Sequence, residues 1–279
     1  MISFGSWTPD KPTIYGPHLR QAKNVIPTAD GYGPFKALVA ASSALSTRVA
    51  GAGAFRDVAG AVHVYAGDQT ALYELNSSAT WDNVSAAPYA LVGTSRWRFT
   101  QFGDKVIATD WEDAIQVKTM SGSSNFAALG GSPPRAKHIA TFRDFVVLGY
   151  TSTSASELAW AAINDVTGWT PGTSQSDTQL LPDGGFVQGF ATGDVLLIFQ
   201  QRKIRVMQYV GPPLIMQIDV IEESVGCLEA GSICQHGRKV FYLADDGFHM
   251  IDSLQASVNI GEEKINDFFA DDLNEPYLY

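Results

Sequence analysis

One short unit recurs along this chain and limits what it can fold into. In its clearest copy, residues 97–110, two alternating apolar segments flank the turn pair Gly103-Asp104. Phe142-Arg143-Asp144-Phe145 repeats the pattern about 40 residues later, Thr192-Gly193-Asp194-Val195 about 50 beyond that, and His236-Gly237-Arg238-Lys239 after about 44 more. A fainter copy, Arg56-Asp57-Val58-Ala59-Gly60-Ala61-Val62, precedes them. A hairpin this small cannot bury its own apolar face, so such units must stack on one another to make a core.

Each copy belongs to a longer set of strand candidates bounded by turn residues. The first set covers 61–65, 71–75 and 81–84, with a Gly67-Asp68 turn. The second covers 97–102, 105–110, 114–120 and 126–129, and the third 136–141, 145–150 and 157–163, closed by Trp169-Thr170-Pro171-Gly172. The fourth covers 186–190, 195–200, 203–210 and 214–221; the fifth covers 232–236, 239–244, 248–251 and 257–260. Asp246-Gly247 is the strongest two-residue turn signal. Four short strands per unit make the blade of a β-propeller, so the expected fold class is all-β: roughly 40–50-residue four-stranded blades behind an irregular N-terminal arm. An irregular sandwich or a β-solenoid would share much of this pattern.

The chain divides into an extended arm (1–45), the blades (46–263) and a C-terminal segment (264–279), where 264–269 reads as a short helix. Five units are few for a closed ring, and with a strand starting at Tyr277-Leu278-Tyr279 the chain is expected to be cut short at Tyr279. Pro and Gly punctuate the arm and disfavour helix. Its aromatics Trp7, Tyr15, Tyr32 and Phe35 are costly to leave in water, so the arm should lie along a surface, either of its own domain or of another subunit. These four are the candidate subunit-interface residues.

With 45% of 279 residues hydrophobic and 17% charged, the chain can bury a full core. Its formal net charge of −10 repels a phosphate backbone, which disfavours specific nucleic-acid binding but allows DNA as a passing cargo. No basic region precedes an apolar stretch and no run approaches 18 apolar residues, so neither a secretory signal nor a membrane span is expected. Cys227 and Cys234 fit neither a redox nor a zinc-knuckle spacing and read as small core residues.

Chemistry-bearing patterns are sparse. His18, His63, His138, His236 and His249 have no zinc spacing, although His63 and Glu74 fall where adjacent strands would bring them together. Carboxylates cluster at Asp110-Trp111-Glu112-Asp113, Glu222-Glu223, Asp245-Asp246, Glu262-Glu263 and Asp271-Asp272. Paired carboxylates beside aromatics are what a glycosidase needs; hairpin turns and solvated loops account for the same residues. Residues 110–113 lack the glycine of an EF-hand loop. Gly51-Ala52-Gly53-Ala54 lacks a phosphate-loop ending and reads as close strand packing. The basic clusters 200–205 and 96–98 are open to two readings, phosphate contact or cross-strand pairing with the acidic excess. No catalytic, cofactor-binding or metal-binding residue is assigned, and no enzymatic activity is expected.

Several segments together carry a resemblance: Trp7-Thr8-Pro9-Asp10, Ala22-Lys23-Asn24-Val25-Ile26-Pro27, Gly31-Tyr32-Gly33-Pro34-Phe35, Trp97-Arg98-Phe99-Thr100-Gln101-Phe102-Gly103, Leu129-Gly130-Gly131-Ser132-Pro133-Pro134-Arg135-Ala136, Arg143-Asp144-Phe145-Val146-Val147-Leu148, Leu181-Pro182-Asp183-Gly184-Gly185, Tyr209-Val210-Gly211-Pro212-Pro213 and Asp245-Asp246-Gly247-Phe248. Through them the chain resembles the tail nozzle, or packaged-DNA stabilisation, proteins of short-tailed bacteriophages. The resemblance implies a virion tail subunit made in the host cytoplasm, with a propeller and no cofactor. It also implies a ring, usually a hexamer, beneath the portal-adaptor complex and beside fibres or spikes, continuing the double-stranded DNA channel, retaining the genome and allowing its ejection. Members of that family are longer than this chain, which puts the distal part in doubt. The alternative is a polysaccharide-binding or polysaccharide-degrading propeller of a phage tail.

Overall fold

The runs Val106-Ile107-Ala108, Val146-Val147-Leu148 and Leu197-Ile198-Phe199 are apolar at every position, and successive side chains of a strand point to opposite faces, so both faces of each run need a partner. The computed structural model, which describes residues 5–12, 14, 16–28, 31–252 and 255–273, supplies those partners. Five four-stranded antiparallel meanders follow one another. Blade one is β3 (Gly51–Arg56), β4 (Val62–Gly67), β5 (Leu72–Leu75) and β6 (Trp81–Asn83); blade two is β7 (Arg98–Phe102), β8 (Lys105–Thr109), β9 (Gln116–Thr119) and β10 (Ala127–Ala128). Blade three is β11 (Ala136–Phe142), β12 (Phe145–Thr151), β13 (Glu157–Trp160) and β14 (Asp177–Leu180), and blade four is β15 (Val187–Thr192), β16 (Leu196–Gln200), β17 (Ile204–Gly211) and β18 (Ile215–Glu222). Blade five is β19 (Cys234–His236), β20 (Lys239–Ala244), β21 (Gly247–Asp252) and β22 (Val258–Asn259).

The second strand of each inner blade is shared between two cores. Val106 and Ala108 face blade one while Ile107 faces blade three. Val146 and Leu148 face blade two while Val147 faces blade four, and Ile198 faces blade three while Leu197 and Phe199 face blade five. Each such Val, Leu, Ile or Phe side chain contributes about 1.5–3 kcal/mol on burial. Four inter-blade cores result, and among the described residues no hydrophobic cluster joins blade five to blade one. The first strands lie against one another, β3 on β7, β7 on β11 and β11 on β15, which places them nearest the axis. This is a β-propeller, all-β as expected, with its seam between the last blade and the first.

The recurring turn is the hairpin between the first and second strands of every blade. Gly103-Asp104, Arg143-Asp144 and Gly237-Arg238 are two-residue loops whose first residue has φ of 56°, 50° and 61°. One turn is misplaced in the sequence reading. Ala244 pairs with Gly247, so the tight loop is Asp245-Asp246, and Gly247 opens the next strand. Two strands escape the pattern: β3, built of Gly and Ala with little strand preference, and β14, exposed along its whole length. The arm is not wholly irregular, because β1 (Val25–Thr28) and β2 (Gly31–Pro34) form a hairpin. The strand start expected at 277–279 lies outside the described residues. Cys227 is buried in the core between blades four and five, whereas Cys234, expected in the core, is exposed on β19. No described helix is long and apolar enough to cross a membrane.

Among the described residues the one α-helix, α1 (Asn266–Asp272), packs on blade five. Phe269 packs edge-on against Phe248 with ring centroids 4.8 Å apart, and Phe268 does the same against Trp7 at 5.6 Å. Asp10 caps it from a distance, accepting from Asp267 N at 3.1 Å and Phe268 N at 2.9 Å. The start of the arm is thereby tied to the far end of the described chain.

Gly51 and Gly67 show why small residues stand in blade one. A Cβ on Gly51 would lie 2.1 Å from the Trp97 carbonyl oxygen, and one on Gly67 would lie 2.2 Å from the Trp97 ring. Backbone cannot yield as a side chain does, so Gly51→Ala is expected to destabilise the fold by about 2–3 kcal/mol, measured by denaturant unfolding. The same change at Gly237, where no atom lies within 4 Å, adds only the strain of its φ of 61°.

Candidate functional site

All five units contribute to one cavity at the axis, of about 820 Å³. Aligned on the recurrent turn, the residues five positions before it are Ala52, Arg98, His138 and Gln188, and all four line the cavity. That alignment was the signal available in the sequence. Single-copy motifs could not reveal it, because each blade supplies only one or two residues.

On β7 alternate side chains part company. Trp97 and Phe99 pack toward blade one, while Thr100 hydrogen-bonds Thr141 at 2.9 Å and Phe102 enters the core with blade three. Arg98 shares the second face and is half-buried there, its pKa lowered by burial and by Arg96, with Glu229 acting in the opposite sense. Glu229 makes no ion pair with it, and its Oε1 instead accepts from Gly231 N at 2.9 Å. Among the described residues no hydrogen bond or ion pair reaches the Arg98 guanidinium. Lys137 is also without a carboxylate: its Nζ lies 4.1 Å from the Tyr150 ring centroid and 5.7 Å from that of Trp111. Trp111 and Tyr150 meet edge to face at 5.2 Å, and both hold left-handed backbone, with φ of 80° and 56°. Such conformations cost non-glycine residues on the order of 1–3 kcal/mol each. His138 is buried, and desolvation together with the charges of Arg98 and Lys137 pushes its pKa down to about 3, so its ring is neutral.

Asp110 completes the site. It is 1% exposed, Asp113 N donates to its Oδ1 at 3.0 Å, and no hydrogen bond reaches its Oδ2 among the described residues. Burial, then the neighbouring Asp113 charge, raises its pKa to about 6.

Other candidates find ordinary partners. Lys203 pairs with Glu223 at 2.5 Å and Asp183 at 3.0 Å, and Arg205 pairs with Asp183, so the cluster 200–205 takes the pairing reading. His63 sits between Glu74 at 2.6 Å and Asp57 at 3.3 Å, on adjacent strands as expected. His249 lies between Ser257 Oγ at 2.6 Å and Asp246 Oδ1 at 2.8 Å, an arrangement the sequence did not reveal. There the Ser257 hydroxyl is shared with Tyr242 at 2.6 Å and the histidine is buried, so the network ties the strands of blade five together. Among the described residues no group of three His, Cys, Asp or Glu side chains could hold a metal ion.

No protein-family model matches the chain, and no curated protein matches its sequence. Among solved structures it is similar to BBS1N, from a complex with ARL6DN, at 13% identity and a TM-score of 0.46 over 86% of this chain and 74% of that one. It is similar to PorZ, a surface component of the type-IX secretion system of Porphyromonas gingivalis, at 12% identity and a TM-score of 0.47, over 70% of this chain and 25% of that one. BamB from Moraxella catarrhalis is similar at 14% identity and a TM-score of 0.42, over 75% of this chain and 59% of that one. The chain therefore spans a quarter of the PorZ chain and under two-thirds of the BamB chain. It is the sheet topology, five four-stranded meanders about one axis, that makes this a propeller.

The four arm residues do not act alike. Trp7 packs on Phe268 of its own chain, and Tyr32, half-buried in β2, donates from its hydroxyl to Gly5 O at 3.3 Å. Trp7 and Tyr32 line one groove. Phe35 is 55% exposed, and Tyr15 lies outside the described residues.

Two pH effects follow. The bond to Glu74, then that to Asp57, raises the His63 pKa against the opposing effect of burial. Its contribution is full below the unfolded value of about 6.5 and fades as pH climbs through the folded value. His63→Gln should thus lower the melting temperature more at pH 6 than at pH 9. Asp110 has the opposite sign: its ionisation, between the unfolded value and about 6, costs stability. Asp110→Asn keeps the acceptor for Asp113 N and is expected to raise the melting temperature by a few °C at pH 8 relative to wild type, with no gain at pH 4.

Proposed function

We propose that this chain is a structural subunit that assembles into a ring through its N-terminal arm, in the manner of a short-tailed phage tail nozzle. The observation that carries the reading is the arm itself. Val25, Ile26 and Phe35 are exposed, and Leu38 and Val39 are 89% and 87% exposed outside any strand or helix. Five apolar side chains within fifteen residues are costly in water, and a neighbouring subunit would cover them. Covering by the adjacent copy is a head-to-tail contact, which closes into a ring when the rotation permits. The family resemblance supplies the rest of the reading: six copies below a portal-adaptor complex, fibres or spikes alongside, and double-stranded DNA passing without being held. The net charge of −10 favours such passage over retention by binding.

Mass photometry of the chain with its portal-adaptor complex is expected to show a discrete increment of six copies. Phe35→Ser combined with Leu38→Ser should abolish that increment while moving the melting temperature by less than about 2 °C, because both side chains are exposed. A chain that remains monomeric at high concentration, alone and with the complex, overturns the reading.

Asp110 favours a second reading, a polysaccharide-binding or polysaccharide-degrading propeller. A buried carboxyl with a pKa near 6, beside Trp111 in an axial cavity, is suited to proton donation to a glycosidic oxygen. Release of reducing ends from host glycan, lost in Asp110→Asn, would establish it.

A further inference from the structure

We propose that the axial cavity is a binding site for a small molecule bearing an oxyanion, phosphate or carboxylate, with Arg98 as its principal ligand and Lys137 and Arg96 as flanking charges. The chain has 29 acidic against 19 basic residues, and among the described residues the two buried cations find carboxylates, Lys118 with Glu74 at 3.6 Å and Arg205 with Asp183, as half-buried Lys203 also does. Arg98 and Lys137 face the axial cavity with no carboxylate in ion-pair contact, although Glu229 and Asp110 line it too. The half-buried guanidinium of Arg98 has lost hydration and has no hydrogen-bond acceptor among the described residues, its charge favoured by Glu229 without contact, and an oxyanion supplies the missing hydrogen bonds. The planar fork of Arg98 suits two oxygens at once.

The walls are built for a ligand rather than for water alone. Trp111 and Tyr150 carry their strained backbone at this cavity, holding an aromatic surface next to the Lys137 ammonium. Neutral His138 adds a polar ring without a competing charge. At about 820 Å³ the space is of the size that takes a sugar acid or a phosphorylated metabolite, not merely a free ion.

Isothermal titration of the full chain at low salt, with inorganic phosphate, glucuronate and neutral glucose as probes, tests this. Phosphate, glucuronate or both are expected to bind with a dissociation constant on the order of 1 mM or tighter, while glucose does not. Binding of glucuronate alone assigns a carboxylate carried on a sugar; binding of phosphate alone assigns a phosphate group. Arg98→Gln should weaken the interaction about tenfold or more and leave the melting temperature unchanged or higher, since no intramolecular partner is lost. Arg98→Lys should retain part of the affinity. Absence of binding by both anions, equal binding of glucose, or binding unaffected by Arg98→Gln overturns the proposal.

Discussion

The structure depends on strands whose two faces belong to two different cores. In β8, β12 and β16 neighbouring residues point to opposite blades, so no inner blade is complete without both neighbours. This explains why runs such as Val146-Val147-Leu148 show no polar alternation. It also explains why the turn before each run must be tight: Gly103-Asp104 or Arg143-Asp144 returns the chain at once, from a first strand near the axis to a second strand between two cores. The placement of the side chains that line the axial cavity follows from that arrangement.

Much of this was legible because tight hairpins and apolar runs are local signals. The periodicity of the turns located all five blades, and most strand bounds fell within one or two residues. The misses have particular causes. β3 is held by its fit against Trp97, to which Gly51 and Gly67 contribute the absence of a side chain, and a missing Cβ leaves no hydrophobic signature. β14 is a fully exposed outer strand whose pairing with β13 is made by backbone alone. The axial site was invisible as a motif, because Arg98, His138 and Gln188 are distant in sequence and become neighbours only when the repeats are superposed on their turns.

Charge is distributed unevenly over this acidic molecule. Around Lys203 and in blade one, polar groups of opposite sign neutralise one another at the edges of strands. At the axis Arg98 and Lys137 stand without a carboxylate in ion-pair contact, and the buried carboxyl of Asp110 is disfavoured as an anion. A net charge of −10 with cations gathered at one interior cavity favours small anions over polyanions such as nucleic acid.

The seam between blades five and one has a mechanical meaning. With four inter-blade cores for five blades, the described molecule is topologically a bent row rather than a hoop, and a row transmits stability only between neighbours. Interior blades are braced on both sides. The end blades are braced on one, and blade five receives its second support from α1, itself capped by Asp10. Amide exchange across such a molecule is expected to form a gradient, slowest in β12 and fastest at the two margins. A closed hoop would unfold everywhere at once, whereas this row yields from its edges inward.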